Sequence, residues 1–219
     1  MVQLNRGELI GSLCQDFRSF TLVNPKKKVP FRDVTSGVID MIVVHCTDAT
    51  NWSPEQLGNF FVQERGFPIC GYHYYVRSEA VYQMTGENVL GYHAAGYNTR
   101  SIGISMDFAP TKMEPLNIAI DPIVFENCQK MVTYLALKYR VPPKMVKFHR
   151  ELFGTGWIRD KNDKPALRKT CPGMSLDPDV FRYSIARRMQ TAWNLPGVAV
   201  DGLFGPISKK TLTETLVDA

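Results

Sequence analysis

Short apolar runs alternate with longer amphipathic stretches through the middle of the chain. One run covers residues 41–45 and ends in His45, which is typical of a buried strand with a polar residue at its end. Further strands are predicted at residues 72–77, 81–84, 102–108 and 146–148. Because these strands alternate with predicted helices, we expect a layered α/β fold.

Two helices of this central part have clear start signals. Residues 53–56 supply a serine N-cap, a proline at the first helical position and a glutamine at the capping-box position. Residues 121–139 begin with Asp-Pro and carry apolar side chains at helical spacing, namely Val124, Cys128, Met131 and Leu135. We therefore expect a helix after residue 53 and a longer one whose apolar stripe is buried.

The N-terminal part, residues 1–35, predicts one helix and a basic loop. The helix is expected over residues 7–20, because apolar side chains share one face, namely Leu9, Ile10, Leu13 and Phe17. The loop over residues 25–30 contains three consecutive lysines between two prolines. We expect this part to pack against the main domain, residues 36–180.

The C-terminal part, residues 183–219, predicts a small helical module. Ile185, Met189 and Trp193 recur at helical spacing. A tight turn over residues 201–206 follows, and we expect Ser208 to cap a last helix through Leu216.

The composition is that of a folded protein. With 219 residues, 44% hydrophobic and 21% charged, the chain can bury a full core and form one domain with a small appendage. The net charge of +5 and the pI near 8.9 favour polyanionic surroundings, such as cell-wall peptide carboxylates, teichoic acids or nucleic acid. We expect no nucleic-acid partner, because the sequence has no helix-turn-helix or aromatic-strand signature.

The number of cysteines and the N-terminal sequence indicate the cellular compartment in which the protein is made. The five cysteines are odd in number and scattered, so we expect no disulfide framework. The first residues lack the basic and apolar segments of a signal peptide, and no stretch approaches transmembrane length. We expect synthesis in a reducing cytoplasm and no insertion into a membrane.

His45, His149 and Cys171 form a complete ligand set for one catalytic zinc ion. Two imidazoles and a thiolate leave a tetrahedral zinc with one position for water, which is the arrangement of a metal hydrolase. The three residues do not stand in a short motif such as C-x-x-C or H-E-x-x-H. The residues alone therefore leave a buried structural role for them equally open.

Several segments of the central part occur in the order of a known enzyme family. They are residues 44–47 (VHCT), 71–74 (GYHY), 93–98 (HAAGYN), 101–104 (SIGI), 148–151 (FHRE) and 169–173 (KTCPG). On these segments the sequence resembles the zinc-dependent N-acetylmuramoyl-L-alanine amidases of the phage-lysozyme type, relatives of the peptidoglycan recognition proteins. The resemblance implies a central mixed β-sheet flanked by helices, and one zinc ion per chain on His45, His149 and Cys171.

The resemblance also assigns residues to catalysis. Tyr72 matches the family's catalytic tyrosine, and Lys169 matches its catalytic lysine, which stabilises the oxyanion. On position alone, Tyr72 is equally compatible with an aromatic core residue, and Lys169 with a solvated lysine. Glu151 is expected either to orient His149 or to lie on the surface.

Three more residues are expected to contact substrate. His93 and Asn98 belong to a loop that contains glycine, and Trp157 belongs to an insert over residues 152–168. A loop of that length beside a metal forms either a substrate wall or a solvent-facing excursion. We expect His73 to be packed and hydrogen-bonded rather than to bind metal.

The turn over residues 201–206 resembles the type 1 peptidoglycan-binding domain, although the third helix of that domain is missing. Residues 183–219 are therefore expected either to bind the cell wall or to pack on the catalytic domain as a helical hairpin.

The residues themselves predict a metal-assisted amide hydrolysis. The resemblance implies that the substrate is peptidoglycan, cleaved at the amide bond between N-acetylmuramic acid and L-alanine, in the role of a phage endolysin. The alternative is a recognition protein that binds muropeptides without cleaving them, although such proteins typically lack the cysteine ligand. We expect a monomer whose partner is peptidoglycan. It would be made in the host cytoplasm and released to the wall by another agent.

Overall fold

The computed structural model describes residues 2–35, 37–110, 120–153, 157–159, 165–167, 170–194 and 200–217. The strands are β1 Val2–Leu4, β2 Cys14–Asp16, β3 Met41–Cys46, β4 Tyr74–Val76, β5 Val81–Gln83, β6 Ser101–Met106, β7 Val146–Phe148, β8 Trp157–Arg159, β9 Pro165–Leu167 and β10 Thr215–Val217. The α-helices are α1 Arg6–Ile10, α2 Pro54–Asn59, α3 Pro122–Tyr139, α4 His149–Leu152, α5 Pro178–Trp193 and α6 Pro206–Thr213.

Six strands form a central mixed sheet in the order β2-β5-β4-β6-β3-β7. The pair β4 and β5 is antiparallel, and the other neighbours are parallel. Helices flank the sheet, so the expected fold class is confirmed. Two-stranded pairs lie outside it, with β1 parallel to β10 and β8 antiparallel to β9.

One face of the central sheet carries the main core. Ile42 and Val44 of β3 belong to the same buried cluster as Ile104 of β6 and the predicted apolar stripe of α3. Successive side chains of a strand point to opposite faces, so Val43 and His45 point away from this core. The apolar run of β3 therefore delivers one histidine to the other face of the sheet.

On the other face, strand β6 contributes two small residues, Gly103 and Ser105, beside His45. His45 is the register partner of Ser105 in β6, and Ser105 is also the partner of Tyr75 in β4. Gly103 lies two residues before Ser105 and pairs with Val43. Because Gly103 and Ser105 are small, imidazole rings have room to lie against the sheet at this point.

The helix starts read from the sequence are confirmed in the central part. The Ser53 hydroxyl accepts a hydrogen bond from the Gln56 N–H at 3.2 Å, and the Gln56 side chain accepts one from Ser53 N–H at 2.8 Å. This capping box opens α2, and a π-helical turn over Phe60–Glu64 continues it. Asp121 caps α3.

The helix predicted over residues 7–20 is wrong beyond Ile10. Gly11 follows α1 with a positive φ of 51°, which ends the helix. The chain then enters β2, which pairs in parallel with β5. The apolar spacing is explained differently, because Ile10 is buried in the core while Leu9 and Leu13 pack against it.

The C-terminal segment shares the core of the main domain. The predicted boundary at residue 183 falls inside α5, whose buried residues Phe181, Ile185, Met189 and Trp193 belong to the main cluster. The predicted capping role of Ser208 is wrong, since it is a buried residue within α6 and Gly205 is the N-cap. The last helix ends at Thr213, not Leu216, because β10 follows to pair with β1.

No helix in the described part of the chain is long and apolar enough to cross a membrane.

Candidate metal centre

Strand register brings the two predicted histidine ligands together. Val44 of β3 is paired with Phe148 of the parallel neighbour β7. His45 directly follows Val44, and His149 directly follows Phe148, so the parallel pairing places both histidines at the same end of the sheet. Their ring centroids lie 4.4 Å apart.

Cys171 completes the group from a loop that precedes α5. Its Sγ lies 3.8 Å from Nδ1 of His45 and accepts a hydrogen bond from the Cys46 N–H at 3.3 Å. The potential ligand atoms of His45, His149 and Cys171 all lie within 4.8 Å of one another. A separate side-chain hydrogen bond with Cys171 lowers the pKa of the neighbouring Cys46 thiol.

This donor set fits zinc. Tetrahedral bonds of normal length would place a sulfur and a nitrogen ligand about 3.5 Å apart, close to the observed separation of Cys171 and His45. His45 is only 1% exposed, whereas His149 and Cys171 are half-buried. The group is therefore anchored in the protein on one side and reaches the surface on the other.

Tyr72, the predicted catalytic tyrosine, lies beside His45. Its ring centroid is 5.1 Å from that of His45, and Phe61 holds the ring edge-on at 5.1 Å. Burial, together with the nearby thiols of Cys171 and Cys46, holds the pKa of the Tyr72 phenol well above its usual value. The hydroxyl is thus a hydrogen-bond donor at neutral pH, and its catalytic role stays a prediction.

His93 contacts a ligand directly, which the sequence did not indicate. Its Nδ1 lies 3.1 Å from Nε2 of His45, and its side chain is buried. Asn98 shapes the same loop, because its Oδ1 accepts hydrogen bonds from the backbone N–H groups of His93 and Ala94. The predicted substrate contacts of His93 and Asn98 stay predictions, and the structure gives both residues contacts within the protein.

His73 is packed and hydrogen-bonded, as expected. Its Nδ1 accepts a hydrogen bond from Gly103 N–H at 3.0 Å, and its Nε2 lies 3.0 Å from the carbonyl oxygen of Val89. Burial, reinforced by the positive charge of Arg32, lowers the pKa of His73 to about 3. His73 is therefore neutral at physiological pH.

Arg32 and Arg150 support the site, and neither was singled out from the sequence. Arg32 donates to the carbonyl oxygens of Asn98 at 2.5 Å and Ser101 at 2.6 Å, which fixes the loop that carries His93. Arg150 is buried and donates to carbonyl oxygens of the segment that follows Cys171. A lone arginine in a sequence gives no sign of such backbone contacts.

Glu151 contacts the backbone at the start of α4. Its carboxylate accepts a hydrogen bond from Phe148 N–H at 2.7 Å and forms an ion pair with Arg182 at 2.8 Å. These contacts anchor the residue before His149, while the predicted orientation of His149 by Glu151 stays untested. Lys169 lies outside the described residues, as does the side chain of Trp157, whose backbone is part of β8.

Similar folds occur in enzymes and in recognition proteins. The chain is 24% identical to the endolysin N-acetylmuramoyl-L-alanine amidase LysCS from Clostridium intestinale URNW, with 71% of this chain and 90% of that chain covered and a TM-score of 0.50. It is 20% identical to the Ph2119 endolysin from a Thermus scotoductus bacteriophage, with 80% and 98% covered and a TM-score of 0.52. For Drosophila PGRP-LB the identity is 19%, with 80% and 89% covered and a TM-score of 0.52.

These identities show a shared fold and no more. No curated protein matches the sequence. The family model described as N-acetylmuramoyl-L-alanine amidase matches residues 35–174, a region that includes the three candidate ligands and most of the central sheet. Because this match covers more than half of the chain, the protein belongs to the N-acetylmuramoyl-L-alanine amidase family.

Proposed function

We propose that this protein is a zinc-dependent amidase that cleaves the bond between N-acetylmuramic acid and the L-alanine of the peptidoglycan stem peptide. The observation that carries the proposal is the group His45, His149 and Cys171, with ligand atoms within 4.8 Å, in a chain of this family. A bound zinc ion would acidify a water molecule and polarise the scissile carbonyl.

Three protein ligands favour cleavage over recognition alone. A structural zinc site uses four protein ligands, whereas a catalytic site leaves one position for water or substrate. Within the described ranges, no further histidine, cysteine or carboxylate joins His45, His149 and Cys171 in the group. The half-buried His149 and Cys171 mark the side from which an amide would approach.

Tyr72 and Lys169 act on the scissile amide in this proposal. The Tyr72 phenol keeps its proton and lies beside His45, so it donates a hydrogen bond to the oxygen on which negative charge develops. Lys169 precedes Cys171 by two residues and supplies a second, charged donor.

Peptidoglycan is the proposed partner, and phage lysis is the proposed setting. Two of the similar structures carry the name endolysin, and another similar structure is a peptidoglycan recognition protein in complex with a monomeric diaminopimelic acid-type peptidoglycan. In this setting the enzyme acts as a monomer, is made in the host cytoplasm and reaches the wall after release by another agent. The net charge of +5 favours the acidic stem peptides and teichoic acids of a wall.

For the C-terminal segment, packing is the better-supported of the two alternatives. The apolar face of α5 is part of the main core, and β10 pairs with β1 from the other end of the chain. Any contribution of this segment to wall binding then comes from its exposed side, which carries Leu203 and Ile207.

The products of peptidoglycan digestion test the proposal. Zinc-loaded protein incubated with purified sacculi should release new N-terminal alanine without new reducing sugar ends, and a chelator should abolish the release reversibly. New reducing ends would instead indicate a glycosidase. Binding to sacculi without either product would indicate the recognition alternative.

A further inference from the structure

The two ring nitrogens of His45 face different partners. Its Nδ1 lies 3.8 Å from Sγ of Cys171, on the side of the other metal ligands. Its Nε2 lies 3.1 Å from Nδ1 of His93. His93 is 7% exposed, so bulk water does not replace it in this contact.

We propose that His93 is a positioning residue that holds His45 in the tautomer and orientation needed to bind metal through Nδ1. The inference rests on the proposed zinc function. It assigns His93 a role inside the protein, which differs from the substrate contact expected from the sequence.

The proton assignments along this contact follow from the chemistry of imidazole. A neutral histidine that binds metal through Nδ1 carries its proton on Nε2, so His45 donates to His93. Nδ1 of His93 is then an acceptor, and its own proton lies on Nε2. If His93 donated instead, neutral His45 would carry its proton on Nδ1 and would lose its metal-binding atom.

The next partners of His93 are compatible with this direction. Nε2 of His93 lies 3.5 Å from Oγ of Ser101. The Ser101 hydroxyl donates to the carbonyl oxygen of Tyr97 at 2.8 Å, so its lone pairs remain available to His93. The chain of hydrogen bonds thus runs from His45 through His93 and Ser101 to a backbone carbonyl, which can only accept.

Two glycines create the space that His93 occupies. A Cβ at Gly103 would lie 2.5 Å from Cγ and Cδ2 of His93, and a Cβ at Gly91 would lie 2.7 Å from Cδ2. Gly103 lies within β6, where glycine adds no packing and weakens the strand. The close approach of the imidazole explains why a side chain is missing at this point of the sheet.

Zinc affinity measured by competition with a chromogenic chelator tests the proposal on metal-free protein. His93→Phe keeps a ring of similar size but removes the acceptor, and it should weaken zinc binding about 10- to 100-fold. His93→Asn places Oδ1 near the position of Nδ1 and should restore part of that loss. Gly103→Ala should weaken binding without removing any polar group, because it displaces His93.

Gly58→Ala is the matched control, since a Cβ at this buried helical glycine would meet no atom closer than 3.8 Å. It should bind zinc as the wild type does. Wild-type affinity in both His93→Phe and Gly103→Ala would overturn the proposal, as would equal losses in His93→Phe and His93→Asn. Failure of the wild type to bind zinc would instead overturn the proposed function.

Discussion

The backbone N–H of Arg150 donates to the carbonyl oxygen of Cys171 at 2.9 Å, joining the helix of one candidate metal ligand to the loop of another. The same residue sends its guanidinium into that loop, where it donates to the carbonyl oxygens of Gly173 and Leu176. Because Arg150 follows His149 directly, it fixes the separation of His149 and Cys171 through both its backbone and its side chain.

Arg150→Met should therefore destabilise the protein and weaken zinc binding together. The substitution keeps much of the apolar stem but leaves two buried carbonyl oxygens without their donor, at a cost of about 2–4 kcal/mol. Urea unfolding of the metal-free protein measures the loss. Arg100→Met removes an exposed ion pair with Asp40 and should cost less than about 1 kcal/mol. Similar losses in the two variants would show that Arg150 has no special structural role.

Cys171→Ser should lower zinc content from about one ion per chain to a small fraction and abolish hydrolysis. A serine hydroxyl is a poor zinc ligand at neutral pH because it keeps its proton, whereas the thiolate binds zinc directly. Elemental analysis after gel filtration gives the zinc content.

Cys14→Ser provides the matched control for the thiol. Cys14 is half-buried in β2, at the opposite edge of the central sheet from β7. This variant should keep its zinc and its activity. Full zinc occupancy in Cys171→Ser would remove Cys171 from the ligand set.

Tyr72→Phe should keep zinc and the fold but lower hydrolysis on the order of a hundredfold, since it removes one donor to the oxyanion. Lys169→Ala is expected to behave in the same way. Tyr82→Phe is a suitable control, because the Tyr82 hydroxyl donates to Glu79 at the surface. A loss of zinc in Tyr72→Phe, or normal turnover, would return Tyr72 to a packing role beside Phe61.

The sequence predicted those parts of the site that depend on local pattern. The apolar run before His45 indicated β3, and the strand over residues 146–148 was placed at its observed bounds. The order of the matching segments then gave the resemblance to the amidase family, and that resemblance implied the three zinc ligands. Each of these inferences uses residues that are close together in the chain, where periodicity and motif carry information.

Contacts between distant residues could not be predicted in this way. His45 and His93 are 48 positions apart, and their contact depends on the pairing of β3 with β6 and on the space left by Gly103. The prediction of one helix over residues 7–20 was wrong for a related reason. The apolar spacing of a short helix followed by a strand matched one continuous helix, and only the conformation of Gly11 separates the two.

Acid should destabilise the protein through His73. Its folded pKa of about 3 lies below the unfolded value near 6.5, so the unfolded chain binds more protons between these limits. Stability from this residue is complete above pH 6.5 and falls as the pH decreases toward 3. At 1.36 kcal/mol per pKa unit, the loss between pH 6.5 and 4.5 is about 2–3 kcal/mol.

Urea unfolding of the wild type and His73→Asn at pH 7 and pH 4.5, with chelator present, isolates this contribution. His73→Asn should be less stable at pH 7 but should lose about 2–3 kcal/mol less than the wild type on acidification. Equal acid losses in the two proteins would show that His73 titrates normally or is protonated in the folded state.

Deletion of the C-terminal segment would not distinguish a role in wall binding from a role in packing. Deletion of residues 183–219 should lower the melting temperature and impair cleavage of both sacculi and a soluble muropeptide, because it removes Ile185, Met189 and Trp193 from the core. Deletion therefore cannot isolate a tethering role.

The double variant Leu203→Ser and Ile207→Ser can isolate that role, since the two side chains are 66% and 62% exposed. Surface substitutions of this kind change stability by less than about 0.5 kcal/mol each. If the segment tethers the enzyme to the wall, binding to sacculi should weaken while cleavage of the soluble muropeptide stays constant. If the segment only packs, both substrates should be cleaved at wild-type rates and sacculus binding should not change. Cosedimentation with sacculi, measured beside the two activities, decides between these outcomes.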